Sequence, residues 1–374
     1  MKKSLVALAA FAAVSAFAQS SVTLSGVIKG GVAQSKYSNG AAGTNGNGMS
    51  VVDGSSRFII GGTEDLGGGL KAIFQVDSRF RVDGGSGFTT AGGNTFVGLS
   101  GGLGMVQLGN LDTHYCLGSD QNGARATALG ASSCSLLGYV NGREFGQGSK
   151  AIANAARSSN MIRYTTPNFS GFQGQLNYST NAFGNEGTVG AAGKGRAIHA
   201  GLNYGNGPIK AGLSVWNSKS EDRSATATRA DQKAYTVFGN YDFGVATVGL
   251  TMDQSTLNGG LMTAAQTEFK RRAWSLPVTV PLGAGTFLFT YTKAGDVTGT
   301  APAAANRNTG ATMLSAGYDY SLSKRTSLGV SYARINNKAN AGYGLYTQAT
   351  LGGTPPNAFG QDVSQLYMGV RHAF

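Results

Sequence analysis

The sequence predicts an all-β protein: a transmembrane antiparallel β-barrel of about sixteen strands, with short periplasmic turns and long extracellular loops. Three observations predict it. Segments of about ten residues alternate apolar and polar side chains, the period of a strand with one apolar and one polar face. The connections between them alternate between short and long. The chain also ends on such a segment, "QLYMGVRHAF", in which Leu366, Met368, Val370, His372 and Phe374 share one face and Tyr367, Gly369 and Arg371 the other. A soluble protein seldom leaves such a strand as a frayed terminus. In a closed barrel it pairs with the first strand, near Val22 to Val32, and no edge remains.

At the N-terminus, Met1, Lys2 and Lys3 precede an apolar stretch from Leu5 to Val14 and a small-x-small site, Ala16-Phe17-Ala18. This reads as a secretory signal peptide over 1–18, too short for a stable membrane span. Residues 19–374 then form a single barrel domain. Its first strand, "VTLSGVIKGG", sets Val22, Leu24 and Ile28 against Thr23, Ser25, Val27 and Lys29. The next clear one, "LKAIFQVDSRF", sets Leu70, Ala72, Phe74 and Val76 against Lys71, Ile73, Gln75, Asp77 and Arg79. The pattern recurs in "FQGQLNYS", "AIHAGLNYG", "IKAGLSVWN", "ATVGLTMD", "MLSAGYDYS" and "SLGVSYAR".

Short connections fall at "EDLGG", "GGLG", "PNFSG", "GNG", "DFGV", "PLGAG" and "LSKR". Long ones fall near Gln34–Met49, Asn110–Ser158, Lys219–Asp231, Thr298–Asn308 and Asn336–Gln361. Gly, Asn, Ser and Pro dominate both, as turn chemistry requires. Phe374 is expected in an aromatic girdle at the short-turn end with Tyr204, Phe243 and Tyr320. A lectin-like β-sandwich also alternates, but it does not account for the leader, the turn asymmetry and the terminal Phe together.

Composition agrees. Gly is 59 of 374 residues and charged residues are 13%, against usual shares of about 7% and about 25%. No apolar run is long enough for a spanning helix. The formal charge of +12, lowered by two when Lys2 and Lys3 leave, suits an anionic partner such as lipopolysaccharide or small anions. Dispersed basic residues without a zinc spacing or a helix-turn-helix pattern argue against nucleic acid. Cys116 and Cys134, eighteen positions apart, suit a single disulfide in an oxidising compartment. The alternative is two reduced thiols.

Catalytic patterns are weak. Gly98-Leu99-Ser100-Gly101-Gly102 spells G-x-S-x-G, but the motif has mechanical meaning only at a strand-to-helix turn. Here another alternating strand follows. His114, His199 and His372 lack metal-ligand spacing, and no nucleotide-binding loop is present. No cofactor and no enzymatic role are expected. Alternation instead turns Lys29, Arg57, Lys71, Arg79, Arg163 and Lys210 into the lumen, where rings of Lys and Arg select anions.

The stretches "SVTLSGV", "GTEDLGGGLKAIFQVDS", "FVGLSGGLGMVQLGN", "NMIRYTTPNFSGFQGQLNYS" and "YMGVRHAF" resemble the general porins of β-proteobacteria across the whole mature chain. The resemblance implies a sixteen-stranded, trimeric outer-membrane channel, often anion-preferring, whose third extracellular loop folds into the lumen. That loop corresponds here to Asn110–Ser158. Arg57 and Arg163 match basic residues of the constriction, and Asp112, Asp120 and Glu144 on the loop are placed to oppose them. Phe374 matches the signal read by the barrel-insertion machinery. Two positions depart from the family: Lys29 stands where Asp is usual, and Asn110 where Arg is frequent. The expected function is an anion-preferring outer-membrane porin for passive diffusion of small hydrophilic solutes through a water-filled channel. The alternatives are a channel specific for an organic anion, or a barrel-borne enzyme or adhesin.

Overall fold

The computed structural model describes residues 20–374 except 41–44, 85–87, 91, 114–126, 129–135, 138–156, 183–194, 221–230, 259–267, 300–307 and 346–358. Among the described residues there is no helix. The strands are β1 (Ser21–Ser38), β2 (Gly46–Asp53), β3 (Arg57–Gly67), β4 (Leu70–Arg79), β5 (Thr95–Gly101), β6 (Gly104–Asp112), β7 (Arg157–Thr165), β8 (Phe172–Ser179) and β9 (Gly195–Asn206). They continue as β10 (Ile209–Ser220), β11 (Asp231–Asp242), β12 (Thr247–Asn258), β13 (Glu268–Leu282), β14 (Gly285–Ala294), β15 (Thr298–Gly299), β16 (Ala311–Ser321), β17 (Thr326–Asn337) and β18 (Asp362–Ala373). All belong to one antiparallel sheet that closes on itself.

Eighteen segments make sixteen barrel strands because two are continuations. The outer half of β1 runs beside β2, from Gly30↔Asp53 to Tyr37↔Gly46, and its inner half beside β3, from Ser21↔Thr63 to Val27↔Arg57. β2 and β3 are therefore one strand broken at residues 54–56. The break is local chemistry: the Asp53 carboxylate accepts the backbone N–H groups of Ser55 and Ser56 at 2.7 and 3.1 Å, the short-range bonding by which Asp makes turns. β15 likewise extends β14 along β13. The first long connection is shorter than the sequence suggested, since β1 reaches Ser38 and β2 begins at Gly46. The connection expected over Asn110–Ser158 runs from Asp112 to Arg157, close to those bounds.

Closure is as expected. β1 and β18 pair from Val27↔Ala373 to Ser38↔Asp362, and Gly26 and Phe374 exchange backbone hydrogen bonds of 3.0 and 3.1 Å. The Phe374 ring lies so close over Gly26 that a Cβ there would come within 2.5 Å of it. Aromatic pairs Phe172–Tyr204 and Tyr241–Phe243, at 4.5 and 4.6 Å, mark the short-turn end.

The two faces invert those of a soluble protein. Val97, Leu99, Leu176, Val237, Met252, Leu314, Leu366 and Met368 point outward and are exposed, as a bilayer-facing surface requires. Ser and Thr crowd the inward face: Ser214, Thr236, Thr251, Ser275, Thr290 and Thr292 are all buried. One apolar cluster lies inside, where Leu136 and Leu137 of the β6–β7 connection pack with Met313, Ile335, Tyr343 and Val363. Ser100 lies within β5, which turns directly into β6; it sits in a strand hairpin and not at a strand-to-helix turn.

Candidate pore constriction

Register builds the basic wall. Lys29 on β1 stands opposite Arg371 on β18. Two residues down β1, Val27 stands opposite Arg57 on β3, which stands opposite Arg79 on β4. Directly opposed residues share a face, so four adjacent strands carry Arg371, Lys29, Arg57 and Arg79 into the lumen together. Asp77, two residues before Arg79, is nearly buried and pairs with both arginines, at 2.8 Å to Arg79 and 3.8 Å to Arg57. Arg79 also donates to Ser55 Oγ at 2.6 Å. Asp77 thus serves two guanidinium groups at once. Lys29 is 2% exposed, and its backbone N–H donates to Ser56 Oγ at 3.0 Å.

Arg163 lies elsewhere. It is on β7, opposite Gln107 and Asn177, with β4, β5 and β6 between it and Arg57 in the sheet. Its guanidinium is tied down, donating to Asn177 Oδ1 at 3.1 Å and to the Asp112 carbonyl. Asn177 in turn meets His199 Nδ1, and His199 Nε2 meets Ser214 Oγ at 2.8 Å. Since Arg163 must donate to the Asn177 oxygen, the amide nitrogen faces His199 and Nδ1 accepts. The Nε2–H of His199 therefore donates to Ser214. His199 is a polar wall residue, and no metal-binding cluster is present among the described residues.

Two described pieces of the β6–β7 connection cross to the far wall. The N–H groups of Thr127 and Ala128 donate to the Asp319 carboxylate on β16 at 2.8 and 2.5 Å. Thr127 Oγ1 meets Ser327 Oγ on β17 at 2.5 Å. Glycines make room: a Cβ at Gly329 would come within 2.5 Å of the Ala128 nitrogen. Farther along, Arg271 on β13 donates to the Leu136 carbonyl, is paired with Asp253 at 2.7 Å and lies 5.9 Å from the Tyr343 ring. The root of the connection is fixed by Asp112–Arg157 at 2.6 Å and by Arg157 donating to the Gly92 carbonyl at 2.8 Å.

Several candidate positions fall differently from one another. Lys71 and Lys210 are each the second residue of their strands, β4 and β10, and stand exposed at the short-turn rim, away from the level of Arg57. Asp112 is engaged by Arg157. Asp120, Glu144, Cys116, Cys134 and His114 lie outside the described residues, and His372 faces outward, meeting Thr326 Oγ1 at 2.9 Å. Sequence reasoning did not single out Arg371, Asp319 or Asp77 as site residues. All three sit on the polar face of alternating strands, which was the available signal.

Residues 4–340 match the family model described as Gram-negative porin. Outer membrane porin protein 32 of Delftia acidovorans is 34% identical over all of both chains. An outer membrane porin protein of Bordetella pertussis is 29% identical, covering 88% of this chain and 92% of its own. The solved anion-selective porin from Comamonas acidovorans superposes with a TM-score of 0.73 at 30% identity, covering 95% of this chain and all of that one. Barrel, inward-reaching connection and relatives agree: the chain belongs to the Gram-negative porin family and is an outer-membrane porin of a Gram-negative bacterium.

Proposed function

We propose that this porin is a passive channel preferring small anions and works as a homotrimer. The observation that carries the preference is the row Arg371, Lys29, Arg57 and Arg79 on adjacent strands, two of whose members share Asp77. Arg271 and Asp253 balance each other, and Asp319 is capped by two backbone N–H groups. The middle of the wall thus holds an excess of positive charge in a confined aqueous space, which raises the local concentration of anions. The similar structure from Comamonas acidovorans is of an anion-selective porin, in keeping with this reading. Trimeric assembly rests on the family resemblance. The roles of Arg57 and Arg163 differ: Arg57 contributes field at the passage, and Arg163 holds the root of the constriction loop.

Planar-bilayer recording in a KCl gradient tests the preference. The reversal potential should have the sign for chloride over potassium, and a cation-preferring wild-type channel overturns the reading. Native mass measurement of the detergent-solubilised protein should give three copies per particle.

A further inference from the structure

A line of hydrogen bonds runs around the wall from β10 to the root of the β6–β7 connection. It takes one side chain from each strand: Ser214, His199, Asn177 and Arg163. Register sets it up, since His199 stands opposite Asn177 on β8, and Asn177 opposite Arg163 on β7. The line ends on Asp112, whose carbonyl accepts from Arg163. Asp112 is where the chain leaves the wall. A bulge between Gly109 and Leu111 precedes it, the device that re-aims a strand. Bonding around Asp112 is dense. Its N–H donates to Asn94 Oδ1 at 2.6 Å, Asn94 Nδ2 donates to its carboxylate at 3.0 Å, and Arg157 pairs with it at 2.6 Å.

Each bond in the line has a fixed direction, which makes the line sensitive to a single proton. Arg163 can only donate, which orients the Asn177 amide and leaves Nδ1 of neutral His199 as acceptor. A second proton on the ring, at Nδ1, would set N–H against N–H. Asn177 then has two settings, and neither serves both neighbours. Turned, its oxygen takes the imidazolium and Arg163 loses its acceptor; unturned, the imidazolium faces amide hydrogens. Water does not relieve the conflict, because Asn177 and His199 are both 0% exposed. Nor is the added charge offset within the wall, since β7, β8, β9 and β10 contain no acidic residue. The ring is faced by Asn177 and, beyond it, Arg163 on one side, and by Ser214 and Trp216 on the other. Arg157 lies at the loop root and Lys210 at the short-turn rim, so Arg163 is the charged side chain at this level among the described residues of these strands. Imidazole is the side chain whose ordinary titration falls between about pH 5 and 8.

We infer that His199 is a positioning residue of the constriction. Neutral, it orients Asn177 to hold Arg163 on the loop root; protonated, it releases Arg163, and the loosened connection closes the channel intermittently in acid. His199 acts through the loop and needs no contact with the passing solute. This inference rests on the channel and its inward connection, and not on the anion preference.

Single-channel recording in symmetric KCl at fixed voltage, from about pH 7.5 to about pH 5, tests it. In wild type, brief closures should become about tenfold more frequent across one transition, as the loss of one hydrogen bond from a charged donor implies. H199Q takes up no proton and should show no such transition. N177D supplies a carboxylate that accepts from Arg163 and from the imidazolium together, so acid should leave its closures unchanged or make them rarer. A merely structural role for Asn177 does not predict that rescue, and N177D keeps the test available if H199Q assembles poorly. The heat-modifiable band on gels should persist at both ends of the pH range, which separates a loosened loop from an unfolded barrel. A wild-type closure rate indifferent to pH, an acid response retained by H199Q, N177D as acid-sensitive as wild type, or loss of the heat-modifiable band in acid overturns the assignment.

Discussion

Asp319 accepts two backbone N–H groups from a segment 192 and 191 positions away in the chain, and hydrogen bonds to a charged acceptor each contribute about 1.5–3 kcal/mol. Asn in its place keeps the volume but offers one oxygen and no charge. Asp319→Asn should therefore loosen the connection at Thr127 and Ala128 and increase open-channel current noise, measured in single-channel records at fixed voltage. Unchanged noise would show that the loop is held without Asp319, by contacts such as Thr127 with Ser327 and Arg271 with Leu136. Such a contact was not legible in the sequence. Alternation assigns Asp319 to the inward face of "YDY", but nothing local says which distant backbone it meets. Arg57 and Arg163 show the same limit. Both were expected on the inward face, yet only the folded chain reveals that one shares Asp77 with Arg79 while the other is tied to Asp112 and Asn177.

At the scale of strands, much more was legible, because period two is backbone geometry and needs no knowledge of partners. The first and last strands were paired from their ends alone, and β1 and β18 do meet. What alternation could not show was the break between β2 and β3, which depends on the Asp53 carboxylate turning back onto Ser55 and Ser56. Two changes act on whole elements. Deleting Phe374 removes both hydrogen bonds to Gly26 and the ring above it; trimer in the outer membrane should fall while export continues, as read by heat-modifiability on gels of membrane fractions. Gly329→Val should leave the β16–β17 hairpin formed but drive the Thr127–Ala128 segment off the wall, since the added carbons need space its backbone already occupies. Single-channel conductance should change while the heat-modifiable band persists.

For the whole molecule, the basic residues divide between an outward row of exposed side chains on β9–β14 and an inward row on β18, β1, β3 and β4. Neutralising the inward one should alter selectivity without altering assembly. Arg57 retains 24% side-chain exposure and Arg79 16%, so their charge reaches the passage, where confinement weakens screening by water. Arg163 is 7% exposed and bonded to the loop root. Replacing Arg57 and Arg163 together by Gln should move the reversal potential in a KCl gradient toward the non-selective value, with Arg57→Gln alone giving the greater part. Lys29→Asp should push it the same way by less, because an acid at that buried position would pair with Arg371 opposite. Molar salt, with a Debye length of about 3 Å, should blunt all of these shifts. A double variant with the wild-type reversal potential would place the selective charge elsewhere in the barrel.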